Sequence, residues 1–166
     1  MRVLGIVGWS GAGKTTLIVA LLPLLRARGL SVSTIKHAHH GFEIDRPGKD
    51  SYRHREAGAQ EVLVASARRW VLLHENPGAE PDLATLLGRL VPVDLVLVEG
   101  FKSHPGPKLE VYRPDLGKPP LWPDVSDIVA VASDQVLQLS NSMQLPLDRP
   151  DIIAEWIIAA PAPIGA

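Results

Sequence analysis

The chain has no cysteine. Disulfide bridges, cysteine-ligated zinc and thiol nucleophiles are therefore excluded. No apolar run approaches the ~20 residues that a membrane span needs. Nor is there a marked excess of either charge: the formal net charge is −1. That balance argues against a nucleic-acid surface covering the whole molecule. The opening Met1–Val7 segment runs straight into a strand pattern and lacks the form of a signal peptide, so the expected location is the cytoplasm. What remains is a sequence of 166 residues, 46% hydrophobic and 21% charged, suited to one globular domain with an ordinary core. That domain is expected over residues 1–160, with a frayed tail over 161–166.

Strand and helix patterns alternate. Val3–Val7 is a wholly apolar run, as expected of a strand buried on both faces. Lys14–Arg28 has helical spacing, with Leu17, Leu21, Leu24 and Leu25 on one side, Pro23 within it and Gly29 as the stop. Ser31–Lys36 reads as a second strand. Asp50 opens a short helix to about Ala57, with its carboxylate as a cap. Glu61–Ala65 and Trp70–His74 are strands around a basic turn at Arg68 and Arg69. Asp82 caps a helix through Leu90. Val93–Val98, Leu109–Tyr112 and Ile128–Ala132 are further strands, and Pro150–Ala159 is a closing helix. This order predicts an α/β fold of the P-loop NTPase-like three-layer type, with a mainly parallel sheet flanked by helices.

Gly8-Trp9-Ser10-Gly11-Ala12-Gly13-Lys14-Thr15 fits G-x-x-x-x-G-K-[ST] at every fixed position, between a strand and a helix. Glycines let consecutive main-chain N–H groups converge on phosphate oxygens, and the helix N-terminus adds partial positive charge. The nucleotide-binding set is Gly8, Ser10, Gly11, Ala12, Gly13, Lys14, Thr15 and Thr16. Lys14 would reach the β- and γ-phosphates and the Thr15 hydroxyl would bind Mg²⁺. Thr16 would meet the α-phosphate. Trp9 occupies a free position and is expected to be an exposed, tolerated side chain.

Such a site needs a carboxylate at the end of a neighbouring strand. Asp94 and Glu99 stand ~16 Å apart on one strand at ~3.3 Å per residue. Ligands gather at the carboxyl ends of parallel strands, so Glu99 is the candidate and Asp94 marks the strand's beginning. Asp50 and Asp45 compete for a second metal role. Lys36, at the end of the second strand, can neutralise phosphoryl charge, giving Lys14, Lys36 and Glu99 as the catalytic set. His37, His39 and His40, with His54 further on, are too loosely spaced for a dedicated metal site and fit a phosphate-sensing or partner-binding loop.

Several segments occur in one order: GWSGAGKTTL; RPGKDSYRHREAGA at Arg46–Ala59; LVEGFK at Leu97–Lys102; PKLEVYR at Pro107–Arg113; and VASD at Val131–Asp134. Together they resemble the molybdopterin-guanine dinucleotide biosynthesis adapter (MobB) family over about Val3–Asp134. The resemblance implies a GTP-binding, weakly hydrolytic homodimer with Mg²⁺ as cofactor. It would act beside the guanylyltransferase that joins GMP to molybdopterin, with molybdopterin as a further ligand and with neither nucleic acid nor membrane as partner. Similarity to dethiobiotin synthetase, in the wider group, implies Thr15, Asp50 and Glu99 as Mg²⁺ ligands and Lys36 as a phosphate contact. The guanine-reading motif N-K-x-D is absent. Asp134 is the substitute, because a carboxylate accepts from guanine N1–H and the 2-amino group. A small-molecule kinase or ATP-dependent ligase is the competing reading. It would need an arginine-bearing lid, and the proline-rich stretch Ser103–Pro123 offers Arg113 alone.

Overall fold

The computed structural model describes residues 1–38, 44–139 and 142–160. His39, His40 and the 161–166 tail lie outside them. The chain divides into two compact units, residues 1–37 with 86–166, and residues 38–85.

The first unit is built on strands β1 (Arg2–Val7) and β2 (Val32–Lys36), with helix α1 (Lys14–Ala27) between them. The second unit contains α2 (Asp50–Glu56), β3 (Glu61–Ala65) and β4 (Trp70–His74), and α3 (Leu83–Leu87) starts at its end. The first unit then resumes with β5 (Leu95–Glu99), β6 (Lys108–Tyr112), β7 (Ile128–Ser133), β8 (Met143–Pro146) and α4 (Pro150–Ala159).

The sheet runs β2-β5-β1-β6-β7-β8, and every neighbouring pair is parallel. The expected parallel α/β architecture is present. β5 runs through the core, with Leu95, Val96, Leu97 and Val98 all buried. Leu17, Ile18, Leu21 and Leu25 of α1 join Ile153, Ala154 and Ile157 of α4 in the larger core cluster. Val7, Ile128 and Val131 belong to a second cluster, covered by Leu121, Trp122 and Val125 from the proline-rich stretch. At full burial each large aliphatic side chain contributes about 1.5–3 kcal/mol, so these clusters dominate the stability.

Several expectations need correction. β3 and β4 are the expected strands, but they pair antiparallel with each other as a separate two-stranded sheet. Alternation of apolar residues cannot say which sheet a strand joins. The cap of α2 is Lys49, with no side-chain capping bond, so Asp50 is the first helical residue. Its charge there still favours the helix N-terminus. Asp82 does cap α3, accepting from Thr85 N–H at 2.8 Å. That helix ends at Leu87, before Gly88, and Arg89 and Leu90 donate back only three residues in a tighter turn. β8 is an additional strand. Its short MQLP sequence has little strand signal, and Pro146 is tolerated because β8 is an edge strand. Among the described residues no helix is long and apolar enough to cross a membrane.

Candidate functional site

The register of the sheet assembles the site. Ile6 of β1 stands beside Glu99 of β5, and Lys36 of β2 stands opposite Glu99 on its other side. On the opposite flank, Val7 is beside Glu110 of β6. The carboxyl ends of β2, β5 and β1 therefore deliver Lys36, Glu99 and the Gly8–Thr15 loop to one edge.

The loop leaves β1 through Gly8 at φ 138°, where an added Cβ would lie 2.4 Å from the Val111 carbonyl oxygen. No other residue fits that approach. α1 then begins behind Gly13 without a side-chain cap and without an acidic residue in its first turn. Its positive end is unneutralised by its own side chains, as an anion site requires. Lys14 Nζ donates to the Gly8 and Trp9 carbonyls at 3.1 and 2.9 Å, folding over the loop. Burial lowers the Lys14 pKa from its ordinary value; Glu99 opposes this, while Lys102 and Lys36 add to it.

Thr15 Oγ1 donates to Glu99 Oε1 at 2.7 Å, and Lys36 Nζ lies 3.6 Å from the same oxygen. The three candidates Thr15, Glu99 and Lys36 therefore meet at one carboxylate. A hydroxyl and a carboxylate oxygen in contact form a hard, all-oxygen donor pair, the chemistry that suits Mg²⁺. Asp94, by contrast, is at the far end of β5, where Ser31 N–H and Oγ donate to its carboxylate at 2.8 and 2.6 Å. The Ser31 hydroxyl bond is the main cause holding the Asp94 carboxyl below its usual range. It pins the starts of β2 and β5, at the opposite end of β5 from Glu99.

Asp50 belongs to the second unit, where it is exposed. Its competitor Asp45 accepts from Ser51 Oγ and Arg46 N–H, each at 2.9 Å, which commits one Asp45 oxygen to local structure. Among the described residues no group of three or more His, Asp or Glu side chains converges as a metal site. His37 instead stacks on Phe101, with ring centroids 4.5 Å apart.

The sequence reading missed how the proline-rich stretch grips the loop. Arg113 Nε donates to the Ala12 carbonyl at 3.1 Å, and its Nη1 donates to Asp134 at 2.5 Å. Asp134 is thereby tied to the phosphate loop through one guanidinium. Trp9 is half-buried rather than freely exposed: its indole N–H donates to the Pro119 carbonyl at 2.7 Å, and Lys102 Nζ sits 4.3 Å from its ring centroid. Glu110 is fully buried and accepts from the Leu121 and Trp122 amides at 3.0–3.1 Å, holding the stretch in place. Burial raises its pKa above the usual carboxylate value, against the pull of those two amides. The signal for these residues was present in PKLEVYR, where a glutamate sits between the apolar positions of a strand and an arginine follows its end. Their partners lie far away in sequence, so spacing could not identify them.

A family model described as molybdopterin guanine dinucleotide synthesis protein B matches residues 3–134. The chain belongs to that family. It is 42% identical over 157 residues to the molybdopterin-guanine dinucleotide biosynthesis adapter protein of Haemophilus influenzae, covering 93% of this chain and 86% of that one. It is 41% identical over 159 residues to the protein of the same name in Escherichia coli, covering 93% and 90%. A crystal structure of molybdopterin-guanine biosynthesis protein B superposes with a TM-score of 0.74 at 29% identity, over 95% of this chain and 98% of that one. The Bacillus subtilis MobB structure gives a TM-score of 0.75 at 25% identity, over 96% and 97%. MobB membership places the chain in the biosynthesis of molybdopterin guanine dinucleotide. Every segment that carries the resemblance, from the phosphate loop to Asp134, lies inside the matched residues.

Proposed function

We propose that this MobB chain is a nucleotide-dependent adapter. In this reading it binds GTP with Mg²⁺ on the Gly8–Thr15 loop, hydrolyses it slowly, and presents a nucleotide-sensitive surface to the guanylyltransferase that attaches GMP to molybdopterin. The observation that carries this reading is the bond from Thr15 to Glu99, because it puts the loop hydroxyl and a strand-end carboxylate where one Mg²⁺ can take both. Lys14 and Lys36 supply cationic contacts for the phosphates. Main-chain amides at the start of α1 supply the donors. Mg²⁺ would be held by Thr15 and Glu99 and would offset phosphate charge; Asp50 is the further ligand that the resemblance implies. Asp134 would accept from the guanine edge, and its salt bridge to Arg113 fixes it relative to the loop. The test is affinity capture of the guanylyltransferase from cell extract with and without GTP. Capture that requires GTP and disappears in Lys14→Ala supports the adapter. Capture indifferent to nucleotide in both proteins overturns it.

Two copies are the expected state. The β3–β4 hairpin sets Leu63 opposite Leu72 and Ala65 opposite Trp70, all on one face. Leu63 is 60% exposed and Trp70 66%. A two-stranded hairpin is marginal in water without a covered face, and a second copy of this chain would cover it. Light scattering should give twice the chain mass, falling to the monomer in a Leu63→Glu, Trp70→Glu protein. A wild-type monomer at micromolar concentration overturns the dimer.

A further inference from the structure

Lys102 has no role in the reading above, yet the fold takes trouble to place it. β5 ends at Glu99, and the next two residues turn with positive φ, Gly100 at 98° and Phe101 at 49°. Phe101 is the non-glycine residue with positive φ among the described residues. Strain of this kind persists where the surroundings impose it, and it clusters at functional sites. Here the surroundings are visible. The His37 ring stacks on Phe101, His37 N–H donates to the Glu99 carbonyl at 2.8 Å, and Gly100 N–H donates to the Ile6 carbonyl at 3.2 Å. A Cβ on Gly100 would lie 2.8 Å from the His37 Cβ. The turn sends Glu99 to Thr15 and brings Lys102 onto the Trp9 ring, 4.3 Å from its centroid.

Three ammonium groups converge on one loop residue: Lys14 on the Trp9 carbonyl, Lys102 on the Trp9 indole, and Lys118 further off at 6.0 Å from the same ring. Lys102 is in no ion pair among the described residues. Lys102 and Lys36 both act electrostatically on Lys14, with Glu99 as the opposing charge there, and Lys102 also acts on buried Glu110. That surplus of positive charge matches a polyphosphate. Glu99 lies on the β5 side of β1, and Asp134 follows β7 on the other side, beyond β6. Lys102 follows Glu99 by three residues and acts electrostatically on Lys14, the lysine that folds over the loop.

We propose that Lys102 is a further phosphate ligand, which leaves the Trp9 ring for the terminal phosphate of a bound nucleoside triphosphate, and that Trp9 is the positioning residue on which it rests beforehand. A cation on an indole face is held weakly enough to be surrendered to a phosphate oxygen. The assignment rests on the triphosphate reading of the loop and makes Lys102 sensitive to the third phosphate alone.

The experiment is calorimetry of the full chain with Mg²⁺, using a non-hydrolysable GTP analogue and GDP, on wild type and Lys102→Ala. Tryptophan emission is followed in parallel on those proteins and on Trp9→Phe. Lys102→Ala should lose about ten- to a hundredfold in affinity for the analogue and stay within about threefold for GDP, which also reports an intact fold. The analogue, and not GDP, should change the tryptophan emission, and that change should vanish in Trp9→Phe. Unchanged analogue affinity in Lys102→Ala, or an equal loss for both nucleotides, overturns the ligand role. An emission change that survives in Trp9→Phe overturns the role of Trp9. Wild-type protein that binds neither nucleotide overturns the triphosphate reading itself, a result distinct from the others.

Discussion

Thr15 and Glu99, 84 residues apart in sequence, share a 2.7 Å hydrogen bond that joins the first turn of α1 to the end of β5. It is the closest approach of the loop's hydroxyl to a carboxylate, and Lys36 converges on the same oxygen. Glu99→Gln retains an oxygen for Thr15 while removing the charge. It should raise the Mg²⁺ concentration needed for triphosphate binding by about tenfold or more, leaving Mg²⁺-free binding nearly unchanged. A wild-type Mg²⁺ titration in this variant would place the metal elsewhere.

Arg113 links Ala12 of the Gly8–Thr15 loop to Asp134 and so joins the two ends of the proposed nucleotide site. Asp134→Asn should erode the preference for GTP over ATP, and Arg113→Ala should erode it as well. Their effects should fall short of additivity, with a coupling of about 0.5–3 kcal/mol in a double-mutant cycle on GTP affinity. Additive losses would mean that the ion pair does not act on the nucleotide.

Gly8 has no room for a side chain: the clash would be with the Val111 carbonyl oxygen, which is main chain, at a φ of 138°. Gly8→Ala should lower the unfolding free energy by more than about 1 kcal/mol and weaken nucleotide binding together with it. Denaturant melts and calorimetry on one preparation check this; a protein of unchanged stability would contradict the close packing of β1 on β6.

Glu110 carries a pH signature. Burial raises its folded-state pKa above the ordinary 4.5, while Leu121, Trp122 and Lys102 pull it down. An acid whose folded pKa is raised holds its proton longer in the native state. Its contribution to stability is therefore fully present below about the unfolded value and is lost as pH rises through the folded one. Wild-type stability should fall across that interval, and Glu110→Gln should flatten the fall. Because Gln offers the Leu121 and Trp122 amides one oxygen in place of two, the variant should also be about 1–3 kcal/mol less stable at pH 7. Urea unfolding from pH 4 to 8 reads both effects.

Local patterns in the chain are enough to give the parallel strands, the helix after the Gly8–Thr15 loop and the family. Those features are written in local patterns: apolar runs at β1, β5 and β7, helical spacing in α1, and the fixed glycines, Lys14 and Thr15. The position of Glu99 beside the loop was legible as well, since the end of a buried parallel strand is a place that chain direction alone can find. That β3 and β4 form a separate sheet, and that the 135–149 stretch adds an edge strand, is visible in the folded chain alone. Only it showed the proline-rich stretch gripping the loop through Arg113, Glu110 and Pro119. The physical reason is the range of the interactions. A motif records what neighbouring residues impose on the backbone. A buried carboxylate, an ion pair or a lysine on an indole ring is satisfied by groups beyond the reach of any local motif, here 11 residues away or more, and only folding brings those groups together.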